Sequence, residues 1–218
     1  MLGTDETSLW LARALFDVGG ITFGEFTLGR TTVNSPVYVN PRLLISEPAV
    51  LRRVARLVEN EVKAGQARRR PRISPFSLVA GVPFGGLHLA TAFSLATDVP
   101  MIYVRQAAGD PKGHRIEGVY RPGQVVLIID DLITGGGTVL GTARRLEEAG
   151  LVVRDIIVLI DRQQGAGVRL HQHGYNLISI LKLKTMLNYY HETGLIESTW
   201  YDRSMAYLEG CQQDRRMP

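Results

Sequence analysis

Apolar runs alternate with amphipathic stretches through the middle of the chain. Five of these runs are rich in β-branched and aliphatic residues and predict strands: Ser77 to Ala80, Met101 to Arg105, Val125 to Ile129, Val153 to Asp161 and Leu177 to Leu181. Helical spacing of apolar positions predicts helices near residues 85–96, 137–149 and 165–173, between most of the strands. This alternation is typical of an α/β domain with a central parallel sheet flanked by helices, which binds its ligands at the carboxyl ends of the strands.

The two ends of the chain show different patterns. Near the N-terminus, helical spacing from Leu9 to Phe16 ends at Gly19-Gly20, and two β-rich runs that predict a small hairpin follow, Ile21 to Leu28 and Pro36 to Asn40. A second helix is predicted from Ser46-Glu47-Pro48 to Gly65, and two more in the tail, over 183–192 and 196–208. We therefore predict one domain over 1–218, with an N-terminal hood segment (1–45), an α/β core (46–181) and C-terminal helices (182–218).

The segment from Val125 to Thr138 reads V-V-L-I-I-D-D-L-I-T-G-G-G-T. A buried strand is followed by two carboxylates and then by glycines that precede a helix, so free backbone N–H groups and the positive end of the helix dipole can meet an anion there. We call residues 134–138 (Thr134, Gly135, Gly136, Gly137 and Thr138) the glycine cup, because the two threonines add hydroxyl donors at its rims. Asp130 and Asp131 suit the hydroxyls of a ribose, or a magnesium ion held through water. Together they predict a site for a sugar that carries phosphate.

Two better-known glycine motifs are excluded by spacing. Gly136 and Gly141 are followed by Thr142 and Ala143, so the lysine of a P-loop is missing, and a G-x-G-x-x-G motif fails because Leu140 occupies its last position. The structural alternative is an ordinary tight turn between a strand and a helix. A plain turn requires neither paired carboxylates nor flanking threonines.

A second glycine-rich turn, Gly81 to Gly86, follows an earlier predicted strand. Its position in the sequence predicts that it lies beside the glycine cup at the carboxyl edge of the sheet. Backbone N–H groups of Phe84, Gly85 and Gly86 at a helix N-terminus would also suit an anion. The alternative is a purely structural turn, since glycine and proline mark turns in many proteins.

Composition narrows the class of protein. The 218 residues are 45% hydrophobic and 21% charged, and no apolar run approaches the ~20 residues that span a bilayer, so we expect no membrane association. Residues 1–6 carry two acids and no base, unlike a signal peptide, and Cys211 is the only cysteine, so we expect a cytoplasmic protein without a disulfide.

The net charge of +4 suits polyanionic substrates. Arg68, Arg69, Arg70 and Arg72 lack interleaved aromatic residues, so we interpret them as a solvated loop rather than a nucleic-acid site.

The cup segment resembles the phosphoribosyl pyrophosphate (PRPP) signature of the type I phosphoribosyltransferases. Further segments are similar, in the same order, to orotate phosphoribosyltransferases: Phe23 to Leu28, Ser35 to Asn40, Arg42 to Ser46, Gly81 to Gly86 with Leu89 to Ala92, Met101 to Arg105, Ile116 to Gly118 and Asp161-Arg162. The similarity covers roughly residues 10–205. It implies transfer of the 5-phosphoribosyl group from PRPP to orotate with Mg²⁺, in a homodimer whose lid loops close over the neighbouring subunit.

The resemblance also implies roles for individual residues. The glycine cup would hold the phosphate, Asp130 and Asp131 the ribose, and Phe84, Gly85 and Gly86 the pyrophosphate, with Arg105 as a further PRPP contact. Arg162 would pair bidentately with the orotate carboxylate, while Tyr38 and Val39 pack over the pyrimidine and Thr134 also bonds to it. The alternative for Arg162 is an exposed surface arginine. Mg²⁺ is expected through PRPP and water, without a dedicated protein site; His171 and His173, two apart on a helix, point to different faces.

Two segments depart from the family pattern. Between Arg105 and Gly118 lies a polar stretch expected to be the lid, in which Gln106 and Gly109 stand where the family usually has lysines. Its available cations are Lys112, His114 and Arg115, and we assign the catalytic role to Lys112. After Leu28 the family commonly has a substrate-binding lysine, whereas this chain has Gly29-Arg30, so Arg30 is the candidate cation for orotate.

These departures leave two alternatives to the orotate enzyme. One is a phosphoribosyltransferase for another base, although a purine has no carboxylate to pair with Arg162. The other is a regulator of the same fold that binds PRPP or a nucleotide with weak or no catalysis, which the lysine-poor lid favours and the retained Arg162 opposes.

Overall fold

The structure, a computed structural model, describes residues 4–28, 32–105 and 116–213. Its strands are, in chain order, β1 Ile21–Leu28, β2 Thr32–Val39, β3 Leu78–Gly81, β4 Met101–Val104, β5 Ile116–Glu117, β6 Val125–Ile133, β7 Val152–Asp161 and β8 Asn176–Lys182. Its α-helices are α1 Thr4–Asp17, α2 Pro48–Gln66, α3 Gly85–Thr97, α4 Gly137–Glu148, α5 Ala166–Gln172, α6 Leu183–Glu192 and α7 Ser198–Gln213. Each strand and α-helix predicted from the pattern is present, with small shifts at its ends.

The central sheet has six strands in the order β5-β4-β3-β6-β7-β8. Strands β4, β3, β6, β7 and β8 are parallel, as the sequence predicts. The two-residue strand β5 adds an antiparallel edge beside β4, so the sheet is mixed rather than wholly parallel. Two residues are too few to show the alternation that identifies a strand in a sequence.

Strand β6 is longer than predicted. The sequence ends this strand at Ile129, but pairing with β7 continues as far as Ile133, and Asp130 lies opposite Val158. Asp130 and Asp131 therefore lie within the strand rather than after it. The longer neighbouring strand supplies hydrogen-bond partners that extend β6 past its apolar run.

Residues of the sheet alternate between two buried clusters. Val79, Leu127 and Ile129 pack on one face with α1, α2, α3 and α6. Ala80 and Ile128 pack on the other face with α4 and α5. The protein is thus a three-layer α/β/α fold, and each parallel strand presents its carboxyl end at the same edge of the middle layer.

The hairpin predicted in the hood segment is confirmed, since β1 and β2 pair antiparallel. A 3-10 helix, Pro41–Ser46, which the sequence pattern does not predict, connects the hairpin to α2. Its six residues are too few to establish a helical period. The helix α2 begins at Pro48 as predicted, with Glu47 at its N-cap.

The arginine cluster at 68–72 is exposed at each of its four positions, as the interpretation as a solvated loop predicts. Within residues 4–28, 32–105 and 116–213, no helix combines the length and the apolar content that a membrane crossing needs.

Candidate active site

The two glycine-rich turns lie side by side at the carboxyl edge of the sheet, as predicted. The first follows β3 and leads into α3, and β3 pairs directly with β6. A Cβ atom on Gly85 would overlap the carboxylate of Asp131, and one on Gly86 would stand 2.5 Å from the carbonyl oxygen of Ile129. The N-terminus of α3 therefore packs closely against the acidic pair: a side chain at Gly86 would meet backbone, and one at Gly85 would displace the Asp131 carboxylate.

The glycine cup occupies the turn between β6 and α4. Gly136 is the N-cap of α4 with φ +74°, a conformation that favours glycine, and its carbonyl accepts the first helical hydrogen bond, from Leu140 at 2.9 Å. The amides of the first helical turn have no acceptor within the helix, so they are available to an anion. Thr138 lies in this first turn.

The acidic pair combines one buried carboxyl group with one that is half-buried. Asp130 is 6% exposed, and its Oδ1 accepts a hydrogen bond of 2.8 Å from the backbone N–H of Asp131. Burial, and next the neighbouring charge of Asp131, raise the pKa of Asp130 well above its ordinary value. Burial thus disfavours the charged form of the Asp130 carboxyl group, and a bound cation would favour it.

A cavity of about 340 Å³ opens beside the acidic pair. It brings together residues of the hood segment, both glycine-rich turns and the end of β7; its lining is Tyr38, Val39, Asn40, Pro41, Arg42, Gly85, Asp131, Leu132, Thr134 and Arg162. Four of the five residues predicted for the base, namely Tyr38, Val39, Thr134 and Arg162, therefore share one cavity. The fifth, Arg30, lies outside the described residues. The size suits a small heterocycle next to a sugar.

Four residues of the lining were not predicted as site residues: Leu132 in β6, and three at the start of the 3-10 helix. Asn40, Pro41 and Arg42 form the start of the 3-10 helix, and the Arg42 Nε donates a hydrogen bond of 3.1 Å to the Asn40 side-chain oxygen. Asn40 and Arg42 belong to segments that resemble the family, and this resemblance was the signal in the sequence that could have identified them as site residues. Their direction toward the cavity depends on the unpredicted 3-10 helix.

Arg162 follows β7 and is 2% exposed, so the alternative of a surface arginine is wrong. Its Nη2 donates to the Ser35 hydroxyl at 2.9 Å and to the Val37 carbonyl at 3.2 Å, while its Nε has no hydrogen-bond partner. Burial lowers the pKa of Arg162 from its ordinary value. Among the described residues, no carboxylate forms an ion pair with this guanidinium.

The other predicted site residues lie outside the cavity lining. Phe84 is 71% exposed at the N-terminus of α3, and Arg105, after β4, forms a 3.7 Å ion pair with Glu117 on β5. Arg30 and the lid cations Lys112, His114 and Arg115 lie outside the described residues.

Comparison with known proteins agrees with this geometry. Residues 44–180 match the phosphoribosyl transferase domain family. The orotate phosphoribosyltransferase of Chlamydia caviae is 37% identical over 178 residues, which are 79% of this chain and 81% of that protein. The structure of Leishmania donovani UMP synthase matches with a TM-score of 0.83 and 34% identity over 94% of this chain, which spans 43% of that longer chain.

The orotate phosphoribosyltransferase of Aeropyrum pernix has a similar structure over nearly its whole length. The TM-score is 0.72 at 27% identity, with 86% of this chain and 99% of that chain covered. The sequence match, the shared fold and the cavity between the two glycine turns lead to one assignment. The chain belongs to the orotate phosphoribosyltransferase family.

Proposed function

We propose that the protein transfers the 5-phosphoribosyl group from PRPP to a ring nitrogen of orotate, giving orotidine 5′-monophosphate and pyrophosphate. The observation that carries this proposal is the buried guanidinium of Arg162 in the cavity. Its hydrogen bonds in the structure go to neutral oxygens only, of Ser35 and Val37. A buried charge without a counter-charge is unfavourable, so an anionic ligand that pairs with Arg162 would stabilise the site.

Orotate supplies that anion. Its carboxylate can accept two parallel hydrogen bonds from the planar fork of Arg162, a geometry that an ammonium group does not offer. Uracil and the purine bases have no carboxylate and would leave the guanidinium unpaired. The half-buried side chain of Tyr38 and the buried Val39 line the same cavity and would pack against the pyrimidine ring, with Thr134 as a hydrogen-bonding partner.

The PRPP site lies directly beside the base cavity. The glycine cup would bind the 5′-phosphate, Asp130 and Asp131 the ribose hydroxyls, and the amides of Phe84, Gly85 and Gly86 the pyrophosphate. The close packing of Gly85 against Asp131 supports this order, because it puts the pyrophosphate turn next to the ribose-binding carboxylates. The reacting C1′ carbon would then stand between the base and the leaving group.

Catalysis in this arrangement rests on positioning and on charge stabilisation. The bond from C1′ to the pyrophosphate oxygen breaks and its electron pair leaves with the pyrophosphate, while a bond from C1′ to the ring nitrogen forms and the proton of that nitrogen passes to solvent or pyrophosphate. No protein nucleophile takes part. Arg105 at the end of β4 and Lys112 in the lid would neutralise charge that develops on the departing pyrophosphate. Arg30 would add a cation on the orotate side.

The acidic pair also fits a magnesium requirement. Within residues 4–28, 32–105 and 116–213, no group of three or more His, Cys, Asp or Glu residues could hold a metal ion. We expect Mg²⁺ to be held mainly through PRPP and water, next to the two carboxylates. Asp130 and Asp131 would contact Mg²⁺ together with oxygens of PRPP and water, as this hard cation prefers. When bound, Mg²⁺ supplies positive charge that screens the pyrophosphate.

The proposed assembly is a homodimer in which the lid of one subunit serves the site of the other. Its support is the family resemblance, in which the lid acts across the subunit boundary. Lys112 would be the lysine that reaches across. We place the enzyme in the cytoplasm, in keeping with a single cysteine that allows no intrachain disulfide.

The test follows the loss of orotate absorbance with PRPP and Mg²⁺ for the wild type and for Arg162→Gln. Glutamine keeps a hydrogen-bond donor but removes the charge, so we expect kcat/KM for orotate to fall about 100-fold. Calorimetry should give unchanged PRPP affinity. Uracil serves as the matched substrate, because it has no carboxylate and its turnover should change little between the two proteins.

A second variant tests the lid. Lys112→Ala should lose rate while its PRPP affinity is retained, since the lysine acts on charge that builds up in the transition state. A wild type that binds PRPP tightly but does not turn over orotate would refute the enzyme and leave the regulator.

A further inference from the structure

The guanidinium of Arg169 lies against the back of the glycine cup. Arg169 is in α5, and its Nη1 donates a hydrogen bond of 3.3 Å to the carbonyl oxygen of Gly135. The same Nη1 is 3.6 Å from the point where a Cβ on Gly137 would stand. One cationic group therefore bonds to the cup at Gly135 and lies close to Gly137.

The helix α5 holds Arg169 in this place through buried packing. A Cβ on Gly136 would stand 3.4 Å from the Ala166 side chain and 3.6 Å from that of Leu170, so α5 lies directly under the cup. Both of these α5 side chains are buried. In the part of the chain that the structure describes, no carboxylate forms an ion pair with Arg169, so its charge acts on the cup without an opposing group.

The hydrogen bond to Gly135 acts on the amide that follows it. The C=O of Gly135 and the N–H of Gly136 belong to one planar trans peptide, so they point in opposite directions. A cation that binds the carbonyl oxygen polarises this peptide and makes the N–H on the other side a stronger donor. A phosphate held by the amides of the cup, as the proposed function has it, would accept from this N–H.

We propose that Arg169 is a positioning residue for the 5′-phosphate of the sugar, acting through the Gly135–Gly136 peptide. The proposal rests on the proposed function, because it takes the glycine cup as the site of that phosphate. Arg169 orients the peptide and strengthens its amide, and its charge adds attraction for a dianion. The ligand class is a sugar 5-phosphate, and the pyrophosphate turn at the start of α3 is not involved.

The test measures binding of two probes to the full-length protein by calorimetry, without orotate. Ribose 5-phosphate reports on the glycine cup, and Mg²⁺-pyrophosphate reports on the other turn. Arg169→Ala should weaken ribose 5-phosphate binding about 10-fold, as expected for loss of a charge-assisted hydrogen bond near the surface. Pyrophosphate binding should change less than about twofold, because its site keeps its amides.

Three further variants separate charge from packing. Arg169→Lys retains the charge and a donor for a single carbonyl, so it should restore most of the lost affinity, whereas Arg169→Gln should restore little. Arg145→Ala is the matched control, because Arg145 lies about two turns beyond the cup in α4, with its Nη1 3.6 Å from the Cβ position of Gly141. The Arg145→Ala variant should bind both probes with the affinity of the wild type. The difference in ribose 5-phosphate affinity between the wild type and Arg169→Ala should also become smaller as salt is added, because salt screens the charge.

Unchanged ribose 5-phosphate binding in Arg169→Ala would overturn the proposal. So would an equal loss for both probes, which indicates a general disturbance, or wild-type affinity in Arg169→Gln, which indicates a purely structural contact. The outcome is independent of turnover. A protein that binds ribose 5-phosphate through Arg169 but does not convert orotate would refute the proposed function and leave this inference intact.

Discussion

The adjacent glycines Gly85 and Gly86 at the start of α3 should respond differently to the same substitution. In Gly86→Ala the new Cβ meets backbone, standing 2.5 Å from the carbonyl oxygen of Ile129 and 3.0 Å from the Cα of Asp130. Ordinary contact begins near 3.4 Å, so α3 or β6 must move by about 0.9 Å. The Ile129 carbonyl also accepts a 3.0 Å hydrogen bond from the N–H of Val82, which a shift would weaken.

The magnitude follows from this rigid contact. Overpacking against a backbone in the centre of the sheet costs about 3 kcal/mol, at the upper end of the usual range. For a chain of 218 residues this corresponds to a melting temperature lower by about 6–12 °C.

Gly85→Ala meets a side chain instead. Its Cβ would displace the carboxylate of Asp131, which is half-buried and can rotate away. Stability should therefore change by less than about 1 kcal/mol. Activity should fall, with KM for PRPP raised about 10-fold, because the displaced carboxylate no longer faces the ribose.

The assay compares thermal unfolding, followed by circular dichroism, with steady-state kinetics for the wild type and both variants. We expect Gly86→Ala to lower the melting temperature. Gly85→Ala should keep the melting temperature of the wild type and lose affinity for PRPP. A wild-type melting temperature for Gly86→Ala, or equal destabilisation of the two variants, would refute the reasoning from backbone and side-chain contacts.

Three other predictions address the buried polar groups and the core. Ser35→Ala removes the 2.9 Å acceptor of Arg162, so KM for orotate should rise about 10-fold while PRPP affinity, measured by calorimetry, stays the same. Because burial raises the pKa of Asp130, and Mg²⁺ favours its ionised form, affinity for Mg²⁺-PRPP should fall as pH decreases through that pKa. Calorimetry of Mg²⁺-PRPP binding in two buffers of different ionisation enthalpy should detect proton release from the wild type. It should detect none from Asp130→Asn. Phe93→Ala removes a buried side chain of α3 from the core, so it should lower the free energy of unfolding by about 3–5 kcal/mol in urea titration. A loss below about 1 kcal/mol would contradict the assigned packing.

The polar groups of the site show where prediction from sequence ends. Asp130, Asp131 and the glycine cup were predicted because strand, carboxylates, glycines and helix follow one another within 14 residues. Arg162 was named as a base-binding residue by resemblance, but its sequence neighbours do not show that it is buried. Its partners Ser35 and Val37 are 127 and 125 positions away, and no local pattern reports contacts over that separation.

The same limit explains the corrections to the fold. The end of β6 was placed too early because its apolar run ends at Ile129, whereas pairing with β7 continues to Ile133. The 3-10 helix Pro41–Ser46 was missed, and with it the part of the cavity lined by Asn40, Pro41 and Arg42. In both places a neighbouring element, rather than local composition, decides the conformation.

The sequence by itself determined the order of the main strands and helices, the parallel core of the sheet and the two glycine-rich turns at its carboxyl edge, because these depend on periodicity and on glycine at sharp turns. Only the tertiary structure decided which groups meet: Gly85 against Asp131, Arg162 against the hood segment, and Arg169 against the back of the glycine cup. The physical reason is that hydrophobic periodicity specifies which face of an element is buried, while a polar contact depends on the exact positions of two elements far apart in the chain.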